Sequence, residues 1–188
     1  MKKFNIFIDE KLKLNKNLVD AQKTQKQTYS YKPRTYNLLK AMIDERVLLD
    51  GPNVDLNDID VSEITDMELL FNDVSDKIKN IHIENWDVSK VTNMRGMFAQ
   101  CRNFNCDLSK WDVSQVKDME VMFTRCENFD SDLGNWDVSR VKDMGEMFKN
   151  CVKFSGKGLD NWNVSRGTIK RDMLYNTLAE KTNLPKWY

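Results

Sequence analysis

At 188 residues the chain is long enough to bury the core of one ordinary domain, and a hydrophobic content of 40 % supplies the side chains for it. Lysine plus arginine balances aspartate plus glutamate at 29 each, which removes overall charge as an argument for nucleic acid or an anionic membrane surface. Locally the balance is uneven, with eleven basic and six acidic residues in 1–50 against two basic and eight acidic in 51–80.

Met1 to Ile8 opens like a signal peptide, but Asp9-Glu10-Lys11 cuts the apolar run short, and no cleavage site or span of transmembrane length follows. The expectation is a protein that stays in the cytoplasm of its producing cell. Short apolar runs alternate with lysine through residue 20, consistent with a short strand or one helical turn, and DAQKTQKQTYSYK after it is aperiodic and polar. Residues 1–32 are therefore read as a leader or linker. Pro33-Arg34-Thr35 then introduces Tyr36, Leu39, Ile43 and Val47 at helical spacing, and Gly51-Pro52 closes the segment, so 33–52 is read as an amino-terminal capping helix.

Residues 53–175 carry tandem repeats. From Trp86 the lines WDVSKVTNMRGMFAQCRNFNCDLSK, WDVSQVKDMEVMFTRCENFDSDLGN and WDVSRVKDMGEMFKNCVKFSGKGLDN follow one another, with an extra residue in Ser155-Gly156-Lys157-Gly158. Leu56 to Phe71 is a degenerate earlier copy with Ile59 in the tryptophan position. Within a unit, Trp111 and Val113 alternate with Asp112 and Ser114, the period of a short strand. Val116, Met119, Met122 and Phe123 then predict a helix of little more than two turns, capped by Ser114 and with Asp118 near its start. Cys126, Phe129 and Leu133 complete the inward positions, so isolated units are not expected to fold. Residues 176–188, ending Pro185-Lys186-Trp187-Tyr188, are read as a second cap.

The joint recurrence of Trp-Asp-Val-Ser, Val-x-x-Met-x-x-Met-Phe-x-x-Cys and Phe-x-x-x-Leu resembles the BspA-like leucine-rich repeat family, found in surface proteins of mycoplasmas, firmicutes and gut bacteria and in some of their phages. The resemblance covers Leu56 to Tyr175. It implies an α/β repeat solenoid with short parallel strands and short helices, used for adhesion or other protein contacts, and no catalytic residues. The opening Phe7 to Asn17 resembles short leaders on proteins of large phages infecting gut bacteria, which implies either a virion-associated protein, with a phage capsid or tail component as its partner, or a phage-encoded cytoplasmic protein. Surface members carry an export signal or anchor; an adhesin whose signal is absent or replaced is the alternative.

No catalytic, cofactor or metal constellation emerges. Asp87, Asp112 and Asp137 form a ladder that suits either calcium or local backbone hydrogen bonds, the latter being favoured because Asn163 interrupts it. Ser89, Ser114, Ser139 and Ser165 lack a repeated base, and His82 is a lone strand histidine. Cys101, Cys126 and Cys151 share one repeat position, which favours a buried thiol ladder over bridges. The variable positions are the candidates for partner binding: Lys90, Gln115, Arg140 and Arg166 after the serines, and Glu84, Ser109 and Asp160 two before the tryptophans. The reading is a non-enzymatic protein that binds a protein partner of unknown identity, with nucleic acid and membrane disfavoured and a monomer favoured over a homo-oligomer.

Overall fold

The computed structural model describes residues 31–182 and 184–188. The expectations for the leader fall outside these residues, apart from Tyr31 and Lys32. Helix α1, Tyr36–Asp50, begins where Thr35 in extended backbone accepts the Leu38 N–H at 3.3 Å, and it ends at Gly51 with φ 80°. Its buried residues are Leu39, Ile43 and Val47. Strand β1, Asn53–Asp55, then pairs in parallel with β2, Asn80–His82, with Val54 opposite Ile81. A second short helix, α2, spans Leu178–Thr182.

These two helices and one two-stranded sheet, with two 3₁₀ turns at Asn72–Val74 and Leu159–Asn161, are the regular structure of the described residues. The expected α/β repeat solenoid of BspA-like leucine-rich repeats is therefore corrected. The stretches Trp-Asp-Val-Ser form no strands, and Val-x-x-Met-x-x-Met-Phe forms no helices. From Asp66 onward, successive units are joined by single parallel bridges, at Asp66–Asn93, Asn93–Asp118, Asp118–Asp143 and Asp143–Ile169.

Two physical reasons account for the difference. The residue before the second methionine has positive φ in successive units, at Gly96 (59°), Val121 (54°) and Glu146 (56°), and so does the residue before the cysteine, at Gln100 (67°), Arg125 (63°) and Asn150 (63°). A left-handed residue every four positions breaks a helix into consecutive turns. Thus Met122 N–H returns to Met119 O at 3.2 Å and Cys126 N–H to Phe123 O at 2.8 Å, three residues back. The alternate amides Met119, Val121, Phe123 and Arg125 leave the unit and donate to Asp143, Gly145, Met147 and Lys149 at 2.8–2.9 Å. Around the tryptophans the amides are likewise taken locally. Trp111 N–H bonds Leu108 O, Ser114 N–H bonds the Asp112 carboxylate and Val116 N–H bonds Val113 O, leaving no ladder for a strand.

Side chains fill the space between stacked turns. Phe71, Phe98, Phe123 and Phe148 lie face to face with centroids 5.3, 5.4 and 5.5 Å apart. Phe104, Phe129 and Phe154 form a second column at 5.8 and 5.7 Å. Each buried aromatic contributes about 1.5–3 kcal/mol through burial, as an upper estimate. The indole N–H groups of Trp86, Trp111, Trp136 and Trp162 each donate to a carbonyl of the preceding unit, at Leu56, Ile83, Leu108 and Leu133. Trp187 continues the row, stacking 6.0 Å from Trp162 and donating to Leu159 O at 2.6 Å.

Gly96 is the one unit position where glycine meets the positive φ before the second methionine. A Cβ there would lie 2.6 Å from Leu69 Cδ2, the tip of a partly exposed side chain that can swing aside. The backbone penalty then dominates, and Gly96→Ala is expected to lower the unfolding free energy by about 1–2 kcal/mol in urea titration. No loss would mean that φ is not positive at this site.

Candidate functional site

The surface is organised by carboxylates at the turns. Asp87, Asp112 and Asp137 accept the amides of Ser89, Ser114 and Ser139 through Oδ1 at 3.0–3.1 Å, and the Ser89 hydroxyl donates to Asp87 at 2.6 Å. Hydrogen bonds from these serines hold the Asp87 and Asp137 carboxyls below their ordinary range. Ser114 therefore closes an Asx-type turn in place of capping a helix. Asp118 accepts the Glu120 amide at 2.9 Å, and burial raises its pKa. Among the described residues no three His, Cys, Asp or Glu side chains converge as metal ligands.

The candidate residues after the serines fall in one column with Glu63. Lys90 Nζ pairs with Glu63 at 3.0 Å, and the Arg140 guanidinium donates to Gln115 Oε1 at 2.6 Å. Arg166 is exposed in the following unit. The column runs from acidic to basic along the array, through Glu63, Lys90, Gln115, Arg140 and Arg166. The second candidate group is tied into local contacts. Glu84 accepts from Asn57 at 3.1 Å and contacts His82 Nδ1 at 3.0 Å; partial burial opposes its ionisation, but its own backbone amide and these partners outweigh that and hold it at about 2. Ser109 N–H bonds Asp107 at 2.9 Å, and Asp160 accepts the Lys186 amide at 3.4 Å. No hydrogen bond or ion pair among the described residues joins this group to the first column.

Sequence reasoning missed Lys117 and Lys142, two residues further on. The Lys142 amide donates to Lys117 O at 2.8 Å, so these two exposed lysines occupy neighbouring units in an adjoining column. Their signal was the outward position directly after the inward Val116 and Val141. Elsewhere, an open polar hollow of about 550 Å³ lies where the longer unit departs from the 25-residue period, lined by Asn105, Asp107, Asp132, Lys157 and Asn161 among others.

All four cysteines are buried and unbridged. The Cys126 and Cys151 thiols face Phe98 O and Phe123 O at 3.0 and 2.9 Å. Burial pushes Cys101, Cys106 and Cys151 up to about 12 and Cys126 well above its ordinary value. Alkylation at neutral pH is expected to spare the thiols in the folded chain and to modify all four in urea. Because the folded state keeps protons that the unfolded state releases from pH 9.0, this contribution to stability is present below that pH and is lost as pH rises toward about 12. Rapid alkylation of the native protein would contradict the buried row.

Among the described residues, no helix is long and apolar enough to cross a membrane. No curated protein and no solved structure matches the chain. A family model described as "Mycoplasma protein of unknown function, DUF285" matches residues 37–133 and 65–187. This is not the BspA-like family that the motif resembles, and the phage and virion readings drawn from resemblance are withdrawn with it. The matched stretches take in more than half of the sequence, and the chain belongs to the DUF285 family.

Proposed function

We propose that this protein is a non-catalytic binding module that recognises a protein partner through the column at exposed Lys90, half-buried Gln115, and exposed Arg140 and Arg166. The observation carrying this reading is the contrast between rows. Tryptophan, methionine, phenylalanine and cysteine repeat inside, whereas the position after the serine, outside this core, changes from lysine to glutamine to arginine. Packing accounts for the constant positions, and the variable ones are free to be set by recognition.

Crosslinking mass spectrometry in the producing cells tests this. The wild-type chain is expected to crosslink to one protein at a fixed ratio. A variant with alanine at Lys90, Gln115, Arg140 and Arg166 is expected to lose that crosslink at an unchanged unfolding midpoint. Equal crosslinking of both chains, or none to either, would overturn the reading.

A further inference from the structure

Several cations on the array are neutralised within the chain. Lys90 pairs with Glu63, Arg95 lies between Glu68 and Glu120 at 3.3 and 2.7 Å, and Lys149 lies between Glu146 and Asp172 at 3.0 and 3.4 Å. The corner at Lys117, Arg140, Lys142 and Arg166 gathers four exposed cations from two adjoining columns. No ion pair among the described residues includes any of these four. Two adjoining columns bring them together. Lys142 is bonded through its backbone to Lys117, and Arg140 reaches Gln115 in the same pair of units. Asp137 feels the charge of Arg140, but its Oδ1 is already occupied by the Ser139 amide at 3.0 Å.

We infer that Lys117, Arg140, Lys142 and Arg166 form a docking site for an acidic segment of a protein partner. The inference rests on the protein-binding reading above and names the chemistry of the partner. Four unpaired cations on adjoining columns repel one another, and carboxylates on a facing segment remove that repulsion. An extended chain with carboxylates at alternate residues, or a helix with carboxylates four apart, presents such a row of charges on one face. A peptide fits better than a nucleic acid. Among the described residues the exposed tyrosines Tyr31, Tyr175 and Tyr188 belong to neither column, so the corner has no stacking platform there.

Fluorescence anisotropy with the full chain decides the matter. The probes are a short peptide with glutamate at alternate positions, its glutamine counterpart and an oligothymidine. The acidic peptide is expected to bind at least about tenfold more tightly than the glutamine peptide, and to weaken as salt rises from about 50 to 200 mM. Lys117→Gln with Lys142→Gln is expected to remove most of that preference, as is Arg140→Gln with Arg166→Gln. Lys77→Gln with Lys79→Gln, on another part of the surface, is expected to leave it intact, with unfolding midpoints confirming that all variants fold. Equal binding of the two peptides would overturn the inference, as would equal losses in the control variant. Tighter binding of oligothymidine than of the acidic peptide would assign the corner to polyanions instead. If the cellular crosslink still depends on the serine-adjacent column while the acidic peptide shows no preference, this inference fails and the protein-binding reading stands. Loss of the crosslink altogether removes both.

Discussion

Phe123→Ala is expected to lower the unfolding free energy by about 3–5 kcal/mol, the cost of deleting a phenylalanine from a tightly packed core. Phe123 is fully buried and packs against Phe98 at 5.4 Å, Phe129 at 4.3 Å, Phe148 at 5.5 Å and Trp136 at 6.4 Å. It therefore joins three units in both directions of the stack, and truncation opens a void that no single unit can close by relaxing. Its amide also donates to Met147 O at 2.9 Å, so the backbone around the void is pinned to the next unit. Urea unfolding followed by tryptophan fluorescence reads the effect, because Trp136 borders the lost ring. A change below about 1 kcal/mol would mean that the phenylalanine column is not the shared core.

Gly158→Ala is expected to cost about 3 kcal/mol or more, combining a left-handed penalty with an overlap that the neighbours cannot relieve. Gly158 has φ 86°, and a Cβ on it would overlap the backbone nitrogen of Gly134 and lie 2.6 Å from Asp132 Oδ1. Asp132 cannot easily withdraw, because that same oxygen accepts the Gly134 amide at 3.0 Å. The extra residue of the longer unit is thus accommodated by two glycines in backbone contact. The comparison with Gly96→Ala is informative, since there the obstruction is a movable leucine tip. A cost at Gly158 no greater than that at Gly96 would show that the two backbones do not touch.

The stacking register was legible in the sequence. Trp86, Trp111, Trp136 and Trp162 recur at the spacing by which the units align, and the methionines, cysteines and phenylalanines marked as inward are buried. Local conformation was not legible. Val116, Met119, Met122 and Phe123 have a spacing that suits a helix, but successive turns closing three residues back give the same inward periodicity. What separates the two is positive φ at Val121 and Arg125, residue types that seldom adopt it. Gly96, Asn150, Asp172 and Asn176 carried the compositional hints. In Trp-Asp-Val-Ser the alternation resembled a strand, whereas Asp and Ser together form a turn that captures the amide a sheet would need.

Trp187 extends the tryptophan row within the segment read as a second cap. Leu184-Pro185-Lys186-Trp187 repeats the Leu-x-x-Trp step of Leu159-Asp160-Asn161-Trp162, but without a following Asp-Val-Ser it read as a cap. Among the surface residues, the column through Lys90, Gln115, Arg140 and Arg166 was found because it follows an obvious serine. Lys117 and Lys142 were missed because their proximity to Arg140 depends on how the turn folds between Val113 and Val116.

The most direct measurement is a long-range HNCO experiment on isotopically labelled protein, which detects scalar coupling across individual hydrogen bonds. Turn-built units joined by alternate amides require correlations from the amides of Met119, Val121 and Phe123 to the carbonyl carbons of Asp143, Gly145 and Met147. Correlations from Phe123 back to Met119, four residues earlier, would instead establish a helix in each unit and contradict the stacked-turn architecture.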